Sequence, residues 1–469
     1  MTSHDWSRRT VLGTAGGLFL AGAAVAVSGP AGAATTGGHG RPGWGYAEGI
    51  ARRVRPPRFP DRRFPVTSYG AVGDGRTACT EAFDRAVKAC NAAGGGHVIV
   101  PAGTYATGPI HLLDNVDLHL EKGARITFST NPADFLPVVY SRWQGIECYN
   151  YSSLIYAYGR KNIAVTGSGT LDGQAGYDNW WSWNGDDAAD AAWATLQKMA
   201  ADGVPVRQRV FGAGSDLRPN FIQFYRCRNV LIDGVTIVDS PMWEIHPVLS
   251  ENVTVQNVTV VSKGPNNDGC DPESCRSEVI RGCSFDVGDD CIAIKSGRDA
   301  DGRRVGVPCS DVLIEDTEMI NRYGAIAIGS ETSGGVANVY VRNCRMGGSD
   351  LHYGLYVKTN SVRGGLIENI YLRGIAVSGI NHEFISMNLN HGEGDTGDHD
   401  PIVRNVEVRD LTCDKARAVA SMVGYERDPI TNVRLRDCAF SEIQQDSQIQ
   451  YVEGLSIRDV LVNGEPMTR

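Results

Sequence analysis

Along most of this chain apolar residues alternate with polar ones, and the alternation itself recurs. Units of the form N-V-x-I-x-x-V-x-V begin at Asn162, Asn229, Asn252, Asn338, Asn369, Asn405 and Asn432. Ser277, Asp311 and Gly454 head units of the same kind. A period of two marks a strand whose side chains point alternately to core and solvent. Unit heads are 23 (Asn229 to Asn252), 25 (Asn252 to Ser277), 27 (Asp311 to Asn338) and 22 (Asn432 to Gly454) residues apart. A period in the twenties means one coil of a solenoid per repeat. The expected architecture is all-β: a right-handed parallel β-helix, with asparagine side chains laddered at its turns. A leucine-rich horseshoe fits less well, because neither the leucine pattern nor a helix per repeat is present. Longer gaps, 67 residues from Asn162 to Asn229 and 36 from Asn369 to Asn405, predict loops or extra coils that wall a groove.

Before the repeats, Thr80 to Ala92 has helical spacing, with Ala82, Phe83, Ala86, Val87 and Cys90 on one face and Gly94 to Gly96 as a stop. A short N-terminal helix ahead of many strands suits a cap over the first coil. The start reads differently. Arg8 and Arg9 precede a small-residue apolar run from Gly13 to Val27 and then Ala31-Gly32-Ala33, the order of an export signal of the twin-arginine type. The expected organisation is therefore a signal peptide over 1–33, a Gly-, Arg- and Pro-rich leader over 34–62, and one β-helix domain over 63–469. An exported, secreted protein follows from that reading, free of the membrane once the signal is removed.

The formal charge of −9 argues against nucleic acid or an anionic membrane as partner, both of which need a basic face. Cys283, Cys291, Cys344, Cys413 and Cys438 fall at apolar positions of the repeat and are expected as free core cysteines. Cys270 and Cys275 are the pair most apt to form a disulfide, and no zinc-type spacing accompanies them.

The chemistry concentrates between Gly264 and Gly297, which holds Asp268, Asp271, Asp289 and Asp290. Asp268 and Asp290 are 22 residues apart, one coil, so the winding brings them side by side. Paired carboxylates flanking a sugar–sugar bond are the machinery of most glycosidases. Adjacent Asp289 and Asp290 would face opposite ways on a strand, so a bulge or turn at Gly288 has to reorient one of them. A calcium site or a solvated acidic turn is the other reading of such a group.

Seven stretches carry a family resemblance: Tyr69–Gly75 (YGAVGDG), Pro101–Tyr105 (PAGTY), Gly169–Gly173 (GTLDG), Asn266–Gly269 (NNDG), Gly288–Lys295 (GDDCIAIK), Ile328–Gly335 (IGSETSGG) and Lys358–Asn360 (KTN). Together they resemble glycoside hydrolase family 28, the polygalacturonases and their relatives, from about residue 64 to 460. The resemblance implies an inverting hydrolase of pectic chains that needs no metal or other cofactor. It implies Asp289 as general acid, with Asp268 and Asp290 as the bases that hold water, and Lys358 facing a substrate carboxylate. Asn266, Glu331, Trp243 and His246 are candidate sugar contacts, although His246 reads equally as a core histidine. The pattern departs at two places. Tyr356 stands where the family has the arginine of Arg-x-Lys, and Arg322-Tyr323-Gly324-Ala325 lacks the family histidine. Arg363 or Tyr323 is expected to compensate. Exo-release of galacturonate by a monomeric enzyme leads. A rhamnogalacturonan-type glycosidase, a calcium-dependent lyase on the same fold and a non-catalytic carbohydrate-binding β-helix are the alternatives.

Overall fold

A computed structural model describes residues 43–468; the twin-arginine segment and its cleavage point lie outside them. The repeat units form parallel strands in register. Ile163, Val230, Val253, Glu278, Val312, Val339, Ile370, Val406 and Val433 pair in turn, each one coil above the last. This is one inward column of the core: eight aliphatic side chains and a single glutamate, all buried. Strands extend into a 23-stranded sheet and further sheets of four and six strands, all wound on the same core. The only antiparallel pairings among the described residues are a hairpin, Val139–Trp143 with Ile146–Asn150, and a short pair at the C-terminal end. The architecture is a parallel β-helix.

The asparagines that head the units turn the corner between coils. Asn162, Asn229, Asn252, Asn338, Asn369, Asn405 and Asn432 all have φ between 52° and 61°, the left-handed region that asparagine tolerates better than most residues. Their side-chain amides bond from coil to coil, Asn229 to Asn162 at 2.8 Å, Asn252 to Asn229 at 2.8 Å and Asn405 to Asn369 at 3.1 Å. These half-buried amides thereby satisfy one another along the ladder, and Asn338 continues it by donating to Asp311 at 2.9 Å.

Helix α1 (Trp44–Arg53) and helix α2 (Thr80–Ala92) precede the main coils. Helix α2 buries the five residues its spacing predicts, and Phe83 meets Tyr105 of the first coils edge-on with ring centroids 6.4 Å apart, within the roughly 4.5–7 Å of favourable aromatic pairs. Part of the segment read as a leader is folded: α1 seats Ala47 and Ile50 against Val279, Leu313, Tyr340 and Tyr371 on the outside of the coils. The long gap after Asn162 contains helix α3 (Asp187–Ala201), and helix α4 (Asp299–Val305) follows the aspartate-rich coil. All twelve cysteines are free and buried, Cys270 and Cys275 included. Cys275 directs its thiol to the Pro247 carbonyl, 3.2 Å away, which corrects the disulfide expectation for that pair.

Candidate active site

Two turns stacked one coil apart carry the aspartates. Asp268 ends the loop after the strand Thr259–Ser262, and Asp289 and Asp290 lie between the strands Ser284–Val287 and Ile292–Ile294. The loops are joined backbone to backbone, Asp289 N–H to the Asn267 carbonyl at 3.2 Å and Gly269 N–H to the Asp290 carbonyl at 3.0 Å. Asp289 and Asp290 sit in a turn rather than on a strand, so strand alternation does not set their directions. Gly288 is needed for a reason other than a bulge. A Cβ there would stand 2.2 Å from the Gly264 carbonyl oxygen, so only glycine lets the two loops approach this closely.

One oxygen from each of Asp268, Asp289 and Asp290 lies within 4.8 Å of the others. Asp268 and Asp290 are buried, and Asp289 keeps a face open. Asp290 is ion-paired to the Lys358 ammonium at 2.5 Å and accepts the Gly324 N–H at 2.8 Å. A Cβ on Gly324 would stand 3.0 Å from that same oxygen, so the glycine clears the approach. Lys295, absent from the sequence-based candidates, is buried 3.5 Å from Asp268, 3.5 Å from Glu331 and 3.9 Å from Asp271. Its ammonium rests 4.5 Å above the Trp243 ring, a cation–π floor beneath the cluster.

Burial and the neighbouring Asp290 push the Asp289 carboxyl up to about 6, against the opposing pull of Lys358. Burial, with Asp271 and Asp289 beside it, also drives Asp268 well above the usual carboxylate range. Asp271 is raised by burial too, and both its oxygens lack a hydrogen-bond partner. Glu331 goes the other way: burial would raise it, but Lys295 and Arg298 more than offset that and hold it well below its ordinary value. Among the described residues Asp268, Asp289 and Asp290 are the one group whose oxygens are close enough to share a cation. The Lys358 ammonium already occupies one oxygen of that group, which disfavours a divalent ion there.

Several expected sugar contacts are placed elsewhere. His246 is fully buried: Nδ1 accepts from Asn220 at 2.7 Å and Gln223 at 3.1 Å, which leaves the proton on Nε2 to donate to Glu273 at 2.8 Å. It is a core histidine, and the groove-lining expectation is corrected. Arg363 is 1% exposed and committed to Asp299 at 2.5 Å and Glu393 at 3.2 Å, so it does not replace the missing arginine at the groove. Trp243 is buried beneath Lys295 rather than lining a subsite. Tyr356 is half-buried, stacked on Tyr353 at 4.2 Å, with its hydroxyl 3.5 Å from His391 Nδ1. Tyr323 packs edge-on against His352 and adjoins Gly324. Asn266, with φ of 54°, accepts from the buried Arg218 at 2.6 Å.

A wall stands at one side of the cluster. The hairpin tip at Gln144-Gly145 reaches Arg298, whose N–H donates to the Gly145 carbonyl at 3.0 Å. A Cβ on Gly145 would lie 2.7 Å from Glu331 Cγ. The hairpin is fixed from behind by the buried Arg209, Asp301 and Glu147: Arg209 meets Asp301 at 2.6 Å, the exposed Arg304 meets Glu147 at 2.5 Å, and the Glu147 N–H donates to Asp301 at 2.8 Å.

A parallel β-helix that gathers three carboxylates and two ammonium groups on adjoining turns carries the side chains a glycoside hydrolase needs. The model of the glycosyl hydrolases family 28 matches residues 212–458. A probable polygalacturonase of Vitis vinifera is 30% identical over 412 residues, which span 83% of this chain and 77% of that protein. An exo-poly-α-D-galacturonosidase of Dickeya chrysanthemi is 28% identical over 385 residues, 74% of this chain and 62% of that protein. Among solved structures, a hyperthermoactive exopolygalacturonase from Thermotoga maritima superimposes with a TM-score of 0.87 at 43% identity, covering 90% of this chain and 96% of that one. The chain belongs to glycoside hydrolase family 28.

Proposed function

We propose that this protein is an exo-acting polygalacturonase that hydrolyses pectic chains from one end with inversion. Asp289, the one cluster carboxyl with an open face and held up to about 6 by burial and Asp290, protonates the leaving glycosidic oxygen. Asp268 and Asp290 grip a water, and Asp290 takes its proton as the oxygen attacks the anomeric carbon. Inverting glycosidases ordinarily separate their carboxyl groups by roughly 6.5–9.5 Å, wider than the 4.8 Å span of oxygens here. The narrower gap suits a water that donates one O–H to the Asp290 carboxylate and the other to the carbonyl oxygen of the Asp268 carboxyl: two such bonds of about 2.7 Å hold their acceptors about 4.3 Å apart. A pair of carboxyl groups serves either outcome; what supports inversion is that a third lets two groups hold the water while Asp289 stays free as the acid. Proton NMR of the first-formed product tests this. An initial β-anomer from an α-linked chain supports direct displacement by water, and an initial α-anomer means a covalent intermediate instead.

The exo mode is argued from the hairpin tip, which stands against Glu331, itself ion-paired to Lys295 at 3.5 Å; a barrier so placed would end the groove on that side. The relatives from Dickeya and Thermotoga, both described as exo-acting, support the same reading. Tyr356 in place of the family arginine removes a bidentate carboxylate clamp, which favours tolerance of a less anionic sugar at that subsite. Comparing homogalacturonan with rhamnogalacturonan in the presence of EDTA separates these specificities and the metal-dependent lyase alternative together. Export through Arg8 and Arg9 belongs to the same proposal; replacing both with lysine is expected to retain the protein inside the cell.

A further inference from the structure

Arg218 is the least explained charge near the site. It is 3% exposed and lies in the segment that returns from α3 to the next coil. Its guanidinium binds three separate pieces of chain. One Nη donates to the Pro241 carbonyl at 2.9 Å and the Pro265 carbonyl at 2.7 Å. The other donates to the Asn184 side chain at 2.8 Å and the Asn266 side chain at 2.6 Å. Pro265 and Asn266 belong to the loop that ends in Asp268, and Asn184 belongs to the long insertion after Asn162, just ahead of α3. The same insertion seals this loop from outside, because a Cβ on Gly264 would stand 2.2 Å from the Trp181 ring.

We propose that Arg218 is a positioning residue: it fixes the loop carrying Asp268 to the 176–184 insertion and supplies the positive charge that balances the aspartate cluster from that side. The inference rests on the assignment of Asp268 and Asp289 to the chemistry. Guanidinium is suited to this work and ammonium is not, since four donors in a fixed plane hold three backbone segments at once. Burial makes the charge costly and depresses Arg218 to about 10, with Asp268 and Asp289 pulling the other way and Tyr177 adding to them. Asp268 in turn faces Asp271, Asp289 and Asp290, with Lys295 as its cation. A cation near carboxyl groups favours their ionised forms, so removing Arg218 raises the titration points of Asp268 and Asp289 together.

The test is Arg218→Gln and Arg218→Lys, measured for kcat, KM and the pH dependence of kcat/KM on homogalacturonan oligomers, with Asp289→Asn alongside. Displacement of a catalytic group by about 1 Å costs on the order of 100-fold, so Arg218→Gln is expected to lose kcat on that scale with KM changed less than about threefold. Both limbs of its pH profile are expected to move to higher pH. Arg218→Lys is expected to keep the limbs in place while recovering only part of kcat. Asn184→Ala, at an exposed position, releases one tether without emptying the core and is expected to lower kcat several-fold with Tm unchanged. Unshifted limbs in a folded Arg218→Gln, or full kcat in both Arg218→Gln and Asn184→Ala, overturn the proposal. Activity surviving in Asp289→Asn overturns the underlying assignment instead.

Discussion

The state of Asp289 sets a quantitative expectation. An ordinary aspartate near 3.9 is only about 7% protonated at pH 5, too little to serve as an acid. Burial and the neighbouring Asp290 bring Asp289 to about 6, which leaves it roughly nine-tenths protonated at the same pH. The environment therefore multiplies the competent fraction about twelvefold. Deprotonation of the acid stops the reaction, so kcat/KM is expected to fall on the alkaline side with a midpoint near pH 6. The perturbation is Lys358→Met. Lys358 opposes the upward shift of Asp289, so its removal is expected to move the alkaline limb to higher pH while the maximum rate falls, because Asp290 loses its partner. Asp290→Asn removes the like charge and is expected to move the residual limb the opposite way. The assay is initial-rate kcat/KM on a galacturonate oligomer from pH 3.5 to 8 at constant ionic strength. The carboxylates interact, so each limb belongs to the cluster as a whole. An alkaline limb above pH 8, or limbs that move together in Lys358→Met and Asp290→Asn, would refute the assignment of the acid.

Three further outcomes are expected. Glu278 sits in the aliphatic column with both oxygens unpartnered, and burial lifts it to about 8. The folded protein thus keeps a proton that the unfolded chain releases above pH ~4.3, so stability falls as pH rises from there to 8. Glu278→Val is expected to gain about 3 kcal/mol at pH 7 and little at pH 4.5, read as a Tm difference that widens with pH; a constant difference would contradict it. Gly145→Val forces a side chain into Glu331 and strains a backbone with φ of 84°, so the hairpin tip is expected to withdraw and exo-release to drop at least tenfold in a folded protein. Deleting Gln144 and Gly145 alone, which leaves the buried Arg142 and Glu147 in place, is expected to let longer oligomers appear early in a digest. Their absence would argue against the hairpin as the barrier.

The period of the repeat, the inward alternation and the heads at Asn162 to Asn432 carried the fold, because a solenoid writes its register into every coil. The asparagine ladder was legible for the same reason. The pairing of Asp268 with Asp289 and Asp290 followed from one coil of spacing. The contributions of Lys295 and Arg218 were harder to see. Lys295 closes the motif Gly288–Lys295, and a lysine ending a buried strand is itself a signal; its partner Glu331, however, lies 36 residues onward. Arg218 is bound by residues from three loops, and no local pattern announces that. His246 and Arg363 were misplaced because spacing gives the coil a residue belongs to but not whether its side chain faces the groove or the interior. The hairpin wall, which precedes Asn162, fell outside the long gaps between repeats, and its position depends on buried pairs such as Arg209 with Asp301, 92 residues apart.

The measurement closest to the central claim is the product profile of homogalacturonan digested by the wild type and by Asp289→Asn with EDTA present. The account predicts monogalacturonate as the first product of the wild type, undiminished by EDTA, and a loss of at least about 1,000-fold in Asp289→Asn with substrate binding retained. Unsaturated products, early internal oligomers or an active Asp289→Asn would contradict it.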